Sequence, residues 1–306
     1  MISADTRGSL YAILSGFLYG FIGYFGVSAI NGNLSATNML FWRFLISSSV
    51  LLLIMIPQLK KITDSYKAMT IAYLTGLGFY GVSTMLYFLA SHYIGSGLAM
   101  VIFFIYPVII MLLNYFLYGL NIPRIYYLAT FIIFIGMILL VDTKHIAIDL
   151  MGILLAIVSS FFYACYIIFS KNNQISPNVS TLMVCLGCMT TCFIVAVLDH
   201  SFVIPKSLNV WANLLGIGVI ATVLPILLFL YSLKYINSEK ASLLSVLEPV
   251  FVVIFGVFLL GEVVQKWSAF GVILVLLGAL MTLFSHRIAQ LWARKVQLFG
   301  RAEPSQ

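Results

Sequence analysis

Ten apolar runs, each about as long as a helix that crosses a bilayer, constrain this chain more than any other feature. They fall near residues 8–30, 37–56, 68–90, 97–118, 123–141, 150–170, 178–198, 211–233, 240–260 and 267–285. A spanning helix needs about 20 mainly apolar residues. Between the runs lies only short polar punctuation, such as Asn31-Gly32-Asn33, Lys60-Lys61, Asn121-Ile122-Pro123-Arg124 and Lys171-Asn172-Asn173. Charged residues make up 8% of the chain, against about 25% in an ordinary soluble domain. That is too few to clothe a water-facing surface, whereas lipid requires no polar skin. The fold class expected is therefore all-α integral membrane, with ten transmembrane helices and the lipid bilayer as solvent. The first run lacks an A-x-A-like end and feeds into further spans, so no cleavable leader is expected.

The formal charge of +7 does not point to nucleic acid, because the basic residues stand singly or in short groups between spans. They set direction instead. With the N-terminus in the cytoplasm, one side collects Arg7, Lys60, Lys61, Lys67, Arg124, Lys171, Lys234, Lys240, Arg287, Arg294, Lys295 and Arg301. The other side collects Lys144, Lys206 and Lys266, and Arg43 lies inside the second span. This bias satisfies the positive-inside rule and favours an even number of spans with both termini cytoplasmic. The basic tail after His286, with Leu291, Trp292, Val296 and Leu298, reads either as a helix along the inner leaflet or as a solvated segment.

The chain also repeats itself. Residues 8–26 align without gaps on 152–170, including Ser15 with Ser159 and Tyr19 with Tyr163. Residues 87–119 align on 229–261, matching Tyr93-Ile94 with Tyr235-Ile236, Pro107-Val108 with Pro249-Val250 and Gly119 with Gly261. Chance pairs Leu with Leu in membrane helices, but it does not keep Pro, Gly and Tyr in register. Five spans per half is an odd number, so the second half enters the membrane from the opposite side. The expectation is two inverted five-helix repeats, 1–145 and 146–290, with a tail at 291–306. Many secondary transporters use such symmetry to place one site at the midplane.

On these motifs the chain resembles EamA-type transporters of the drug/metabolite transporter superfamily. The family's first-helix Trp-Gly reads here as Tyr19-Gly20, and its intramembrane Arg as Arg43 in FWRF. Its second-copy signature appears as Glu248-Pro249 followed by Gly261-Glu262. The first copy departs from the pattern with Leu120 after Gly119, which weakens any paired external carboxylate. The resemblance implies alternating-access transport of small organic solutes in a bacterial inner membrane. Cargo in the family is diverse, and the motifs separate neither amino-acid exporters nor S-adenosylmethionine carriers.

Glu248 is the most informative residue. It lies roughly 12 Å into its helix, near the midplane, where a carboxylate usually marks a substrate path, an ion relay or a buried pair. Pro249 beside it interrupts the hydrogen-bond ladder. Arg43, roughly 9 Å inside its helix, has three options: snorkelling outward, pairing with Glu248, or receiving a carboxylate or phosphate. Tyr19, Tyr163, Tyr80, Tyr87 and Tyr106 complete the candidate substrate-binding set, since a buried Tyr offers an apolar body with one polar tip. Packing is the competing role for each. Pro107, Pro225 and Pro249 are candidates for gating bends or fixed kinks.

No cofactor is expected. Cys185, Cys188 and Cys192 share a helical face but lack further metal ligands nearby, which favours packing. His92, His145, His200 and His286 are scattered, and no nucleophile motif accompanies them, so an enzyme is not expected. The function expected is secondary transport, with an amino-acid or related amphiphilic metabolite exporter as the lead. Uptake or exchange of a metabolite such as S-adenosylmethionine is the alternative within transport, and a non-transporting scaffold the alternative outside it. Proton coupling and oligomeric state stay open.

Overall fold

The computed structural model describes residues 3–22, 24–25, 34–57, 62–140, 149–260 and 266–285. Those residues form ten helical rods: α1 (Ala4–Tyr19), α2 (Ala36–Met55), α3 (Tyr66–Ile94), α4 (Ser96–Tyr118), α5 (Arg124–Leu140), α6 (Leu150–Asn172), α7 (Pro177–Leu198), α8 (Leu208–Tyr235), α9 (Ser238–Leu259) and α10 (Lys266–Leu283). Eight of the ten are long and apolar enough to cross a membrane. Gly261-Glu262, His145, His286 and the basic tail lie outside the described residues.

Helix starts follow local chemistry. The side chains of Ser3, Ser35, Ser65, Asp149 and Asn237 each accept a hydrogen bond from the backbone three residues on, satisfying donors that the first turn leaves open. The tight α3–α4 junction turns on Gly95, whose φ of 79° suits a residue without Cβ.

Four rods are interrupted, in two matching ways. A π-helical turn lies inside α3 at Gly76–Gly81 and inside α8 at Val219–Val223. Helix α4 breaks at Phe104-Ile105, and α9 breaks at Val246-Leu247. In both broken helices the second segment opens with the predicted proline in its first turn, Pro107 in Tyr106–Tyr118 and Pro249 in Glu248–Leu260. Proline lacks the N–H and clashes with the preceding turn, so it ends one helical segment and starts the next. Pro225 stands near the start of the segment that follows the π-turn of α8.

The most extensive packing pairs are α3·α6, α5·α10, α3·α7, α1·α8 and α2·α7. Each joins a helix of the first half to one of the second, so the halves interlock. Contacts at aligned positions match. A methyl group on Gly8 would collide with Tyr235 and Ile236, and one on Gly152 with Tyr93 and Ile94. Ser15 Oγ donates to the Pro225 carbonyl and Ser159 Oγ to the Ser83 carbonyl, at 2.8 and 2.7 Å. Cys188 Sγ donates to the Gly76 carbonyl, and Ser47 Oγ to the Gly218 carbonyl. Small residues at these crossings let helices approach where lipid supplies no hydrophobic drive.

One end of the bundle gathers both ends of the described chain. Lys240 Nζ donates to the Asp5 carboxylate at 2.8 Å and reaches the Leu283 carbonyl at 3.5 Å. This end is called the termini face below. Lys171 Nζ, at the same face, donates to the Leu233 and Ile236 carbonyls at the end of α8, where a cation complements the helix C-terminus.

Candidate functional site

A cavity of about 110 Å³ lies among α1, α2, α3, α4, α6 and α9. Its walls include Tyr19, Arg43, Tyr80, Tyr87, Tyr163 and Glu248, six residues singled out from sequence. Tyr106 is not among the lining residues. It is fully buried, with its ring edge-on to Tyr163 at 4.8 Å and its hydroxyl donating to the Ser242 carbonyl at 3.3 Å. The rest of the wall is Ile22, Ser83, Thr84, Phe88, Met100, Phe103 and Phe104. Sequence reasoning passed over these. Aromatic and hydroxyl residues are so common in the spans that only the break at Phe104-Ile105 marks this stretch as special.

Glu248 reaches the cavity because α9 breaks just before it. The first turn of a new helical segment carries no side chain that bonds the carboxylate: among the described residues neither a hydrogen bond nor a cation within 4.0 Å holds it. Helix α1 comes close behind this break, since a methyl on Gly16 would lie 3.2 Å from the Ser245 carbonyl.

Arg43 is 3% exposed. Its Nε donates to Thr222 Oγ1 at 2.6 Å and its Nη2 to the Ala221 carbonyl at 3.5 Å. Both acceptors belong to the π-turn of α8. An Arg at the centre of a spanning helix costs about 2.5–3.5 kcal/mol, and one hydrogen bond to a charged group returns roughly 1.5–3 kcal/mol. The Thr222 bond therefore offsets much of the cost without neutralising the charge. Of the three roles open to Arg43 in the sequence, the direct ion pair with Glu248 does not form, and burial rules out snorkelling to the surface.

The aromatic wall is held by its own contacts. The Tyr19 and Tyr80 hydroxyls are 3.2 Å apart. Tyr80 stacks on Tyr166 at 4.8 Å, and Phe103 packs on Tyr163 at 5.1 Å and on Tyr87 at 5.4 Å. Such pairs prefer these offset and edge-on geometries, which fix ring orientation. The three cysteines of α7 are fully buried, Cys185 and Cys188 beside Tyr80 and Tyr166. Among the described residues no group of three or more His, Cys, Asp or Glu is placed to hold a metal ion.

An interlocked helical bundle in lipid, with a small central cavity holding one acid and one base, is the build of a membrane carrier of small solutes. The chain belongs to the EamA-like transporter family, part of the drug/metabolite transporter superfamily, whose description matches residues 6–142 and again 150–284. It is thus a multi-pass membrane protein of a transporter family. Curated relatives include an uncharacterized transporter of Archaeoglobus fulgidus, 29% identical over 42% of this chain and 47% of that protein. The uncharacterized transporter YwfM of Bacillus subtilis is 29% identical over 46% of this chain and 48% of its own length. The chain thus spans about half the length of these two relatives in the matched region. A third, the uncharacterized transporter YxxF of Bacillus subtilis, is 22% identical over 89% of this chain and 88% of its own. A solved crystal structure at 16% identity superposes with a TM-score of 0.79, covering 94% of this chain and 98% of that one, a likeness of fold.

Proposed function

We propose that the chain is an alternating-access secondary transporter whose two halves, 1–145 and 146–290, are inverted repeats, and that its cargo is an amino acid or a similarly small amphiphilic metabolite. The observation that carries the reading is the pairing across the cavity. Arg43 comes from one half and Glu248 from the other, both side chains line the same small space, and no direct ion pair joins them. A solute with an ammonium and a carboxylate satisfies both at once, while the aromatic wall receives its side chain.

The matched interruptions of α3 with α8 and α4 with α9, together with the reciprocal Gly8 and Gly152 contacts, support the repeat. Spans within each half number five, which supports the inversion. Cavity size favours a small cargo. About 110 Å³ falls below the ~300 Å³ where pockets for drug-sized ligands begin, so S-adenosylmethionine, with its nucleoside, requires a wider state. The cation bias between the two sides supports a bacterial inner-membrane location with both termini cytoplasmic. Glu248, which forms no direct ion pair among the described residues, is also the group through which protons would couple to flux.

Purified protein in proteoliposomes tests this. Saturable counterflow of L-amino acids is expected, and imposing a pH gradient then separates proton-coupled export from exchange. Absence of saturable flux for every amino acid and for S-adenosylmethionine would favour the scaffold reading.

A further inference from the structure

Arg43 is held in an unusual way, and the holder is not itself part of the cavity wall. Thr222 is fully buried. Its hydroxyl donates to the Ile217 carbonyl at 2.7 Å and accepts from Arg43 Nε at 2.6 Å. A hydroxyl has one proton, so the bond to Ile217 turns its lone pair toward Arg43 and fixes the direction of the contact. Ile217 lies five residues before Thr222, just ahead of the π-turn at Val219–Val223. A π-turn shifts the backbone pairing by one residue, which makes carbonyls available that an α-helix would use. The same turn supplies the Ala221 carbonyl to Nη2. A guanidinium has five N–H donors. The π-turn occupies one on Nε and one on Nη2, and among the described residues Nη1 has no hydrogen-bond partner while Arg43 lines the cavity.

The other half has no such device. The π-turn of α3 presents Tyr80 where that of α8 presents Thr222, and Gly76 meets the Val184 carbonyl where Gly218 meets the Arg43 carbonyl. Tyr80 spends its hydroxyl on Tyr19, and Val184 carries no charge. Among the described residues, oriented cationic donors therefore stand on one side of the cavity alone.

We infer that Thr222 is a positioning residue that aims Arg43 at the anionic end of the cargo, and that the site selects solutes bearing a carboxylate. The inference rests on the transport reading above and adds which end of the cargo goes where: carboxylate on Arg43, any ammonium on Glu248. A structural role for Thr222 predicts an equal effect on all ligands, whereas a positioning role predicts an effect that depends on the ligand's carboxylate.

The test uses the full-length protein with Thr222→Val, which keeps the shape and removes the hydroxyl, and Thr222→Ser, which keeps the hydroxyl. Three probes share one side chain: L-leucine, 4-methylpentanoate without the ammonium, and 3-methylbutylamine without the carboxylate. Half-saturation is read from thermal stabilisation in detergent and from flux in proteoliposomes. Thr222→Val is expected to raise the half-saturating concentration about tenfold for the two carboxylates, the loss of one hydrogen bond to a charged group. The amine is expected to shift less than about twofold, and Thr222→Ser to restore the wild-type values. In an Arg43→Lys background Thr222→Val is expected to add nothing, which keeps the test sharp if the single variant is unstable. Equal shifts for all three probes, or none, overturn the inference. Stabilisation of the wild type by the amine alone also overturns it while leaving a transporter of cations standing. No stabilisation and no saturable flux with any probe removes the transport reading itself, and this inference with it.

Discussion

The half-helix Ser96–Phe103 of α4 and the half-helix Ser238–Ser245 of α9 hold aligned places in the two halves, yet they meet different surroundings. Every residue from Ser238 to Ser245 is buried, including Glu239 and Lys240 at 3% exposure. In Ser96–Phe103 only Ala99 and Val101 are buried, and Met100 and Phe103 face the cavity. The neighbours follow suit. Tyr87 and Phe88 line the cavity, whereas their aligned residues Phe229 and Leu230 are 2% and 4% exposed. The cavity therefore lies toward the α3–α4 junction, and the termini face is packed shut. Under the alternating-access reading proposed above, the termini face is a closed gate and the junction side an open one.

Polar chemistry at the shut face is also one-sided. Lys240 pairs with Asp5, tying α9 to α1, and Asn114 donates to Glu239 and Ser238, tying α4 to α9. At the aligned places near the junction stand Leu98 for Lys240 and Gly97 for Glu239. No charged latch stands at those places, so under the proposed alternating-access reading the two gates are expected to open at unequal cost.

The largest effect expected is at the centre, where the halves differ most in chemistry. Glu248 aligns with Tyr106, a charged wall residue against a packed one. Glu248→Gln keeps size and removes charge, and a loss of flux of about a hundredfold is expected, two factors of ten at 1.4 kcal/mol each. Tyr106→Phe removes only a 3.3 Å hydrogen bond and is expected to cost less than about threefold. Flux of both variants in proteoliposomes, with insertion checked by gel filtration, decides. Equal losses would erase the distinction between wall and packing.

Next comes the latch. Asp5 is 53% exposed and Lys240 4%, so the pair is asymmetric in burial. Removing the acid strands a buried ammonium, while removing the base leaves a carboxylate that water can reach. Full loss of a buried partner costs about 3–5 kcal/mol, and the exposure of Asp5 places this pair lower, near ~1–2 kcal/mol. Asp5→Asn is accordingly expected to open the termini face more than Lys240→Met. The check is maleimide labelling, in oriented vesicles, of cysteines introduced one at a time into protein whose four native cysteines are replaced by Ser or Ala. Ser242→Cys is expected to be inert with the latch intact and to label about tenfold faster with Asp5→Asn. Met100→Cys is expected to label from the opposite face, and more slowly once the latch is broken. Labelling of Ser242→Cys without any latch change would mean the termini face is not shut.

The spans and the break points were legible because each leaves a local mark: apolar length for the helices, Pro107 and Pro249 for the interruptions. Tyr19, Tyr80, Tyr87, Tyr163, Arg43 and Glu248 were legible as residues costly or unusual in lipid, and they come together around one cavity. Tyr106 was indistinguishable from them by composition. Only tertiary packing against Tyr163 and Ser242 separates it. The π-turns left no pattern, since Gly76–Gly81 and Val219–Val223 share no residue type that demands one. Thr222 was invisible for the same reason. The latch was equally hidden, because Asp5 and Lys240 lie 235 positions apart and each reads alone as an ordinary polar residue at a helix start. Long-range pairing is a property of the packed bundle, not of any window of sequence.

The smallest effects on flux are expected where the halves are most alike, at the glycines in and beside the π-turns. A methyl on Gly76 would sit 2.4 Å from the Val184 carbonyl oxygen, a backbone atom of α7 that has no rotamer to escape into. On the aligned Gly218 it would meet the Ile46 side chain at 2.8 Å, which has room to adjust, and the Arg43 carbonyl at 3.2 Å. On Gly78 it would meet nothing within 4 Å. Overpacking by one methyl costs about 1–3 kcal/mol, while an Ala that fits in a helix gains roughly 0.5–1 kcal/mol over Gly. Thermal unfolding in detergent is therefore expected to rank Gly76→Ala as the most destabilising, Gly218→Ala as mildly so, and Gly78→Ala as neutral or stabilising. The ranking bears on function because Gly218 crosses α2 at Arg43 itself. Gly218→Ala is expected to disturb carboxylate binding beyond its effect on stability, and Gly76→Ala to disturb stability alone. Loss of that split would mean that the two π-turns do the same work in both halves.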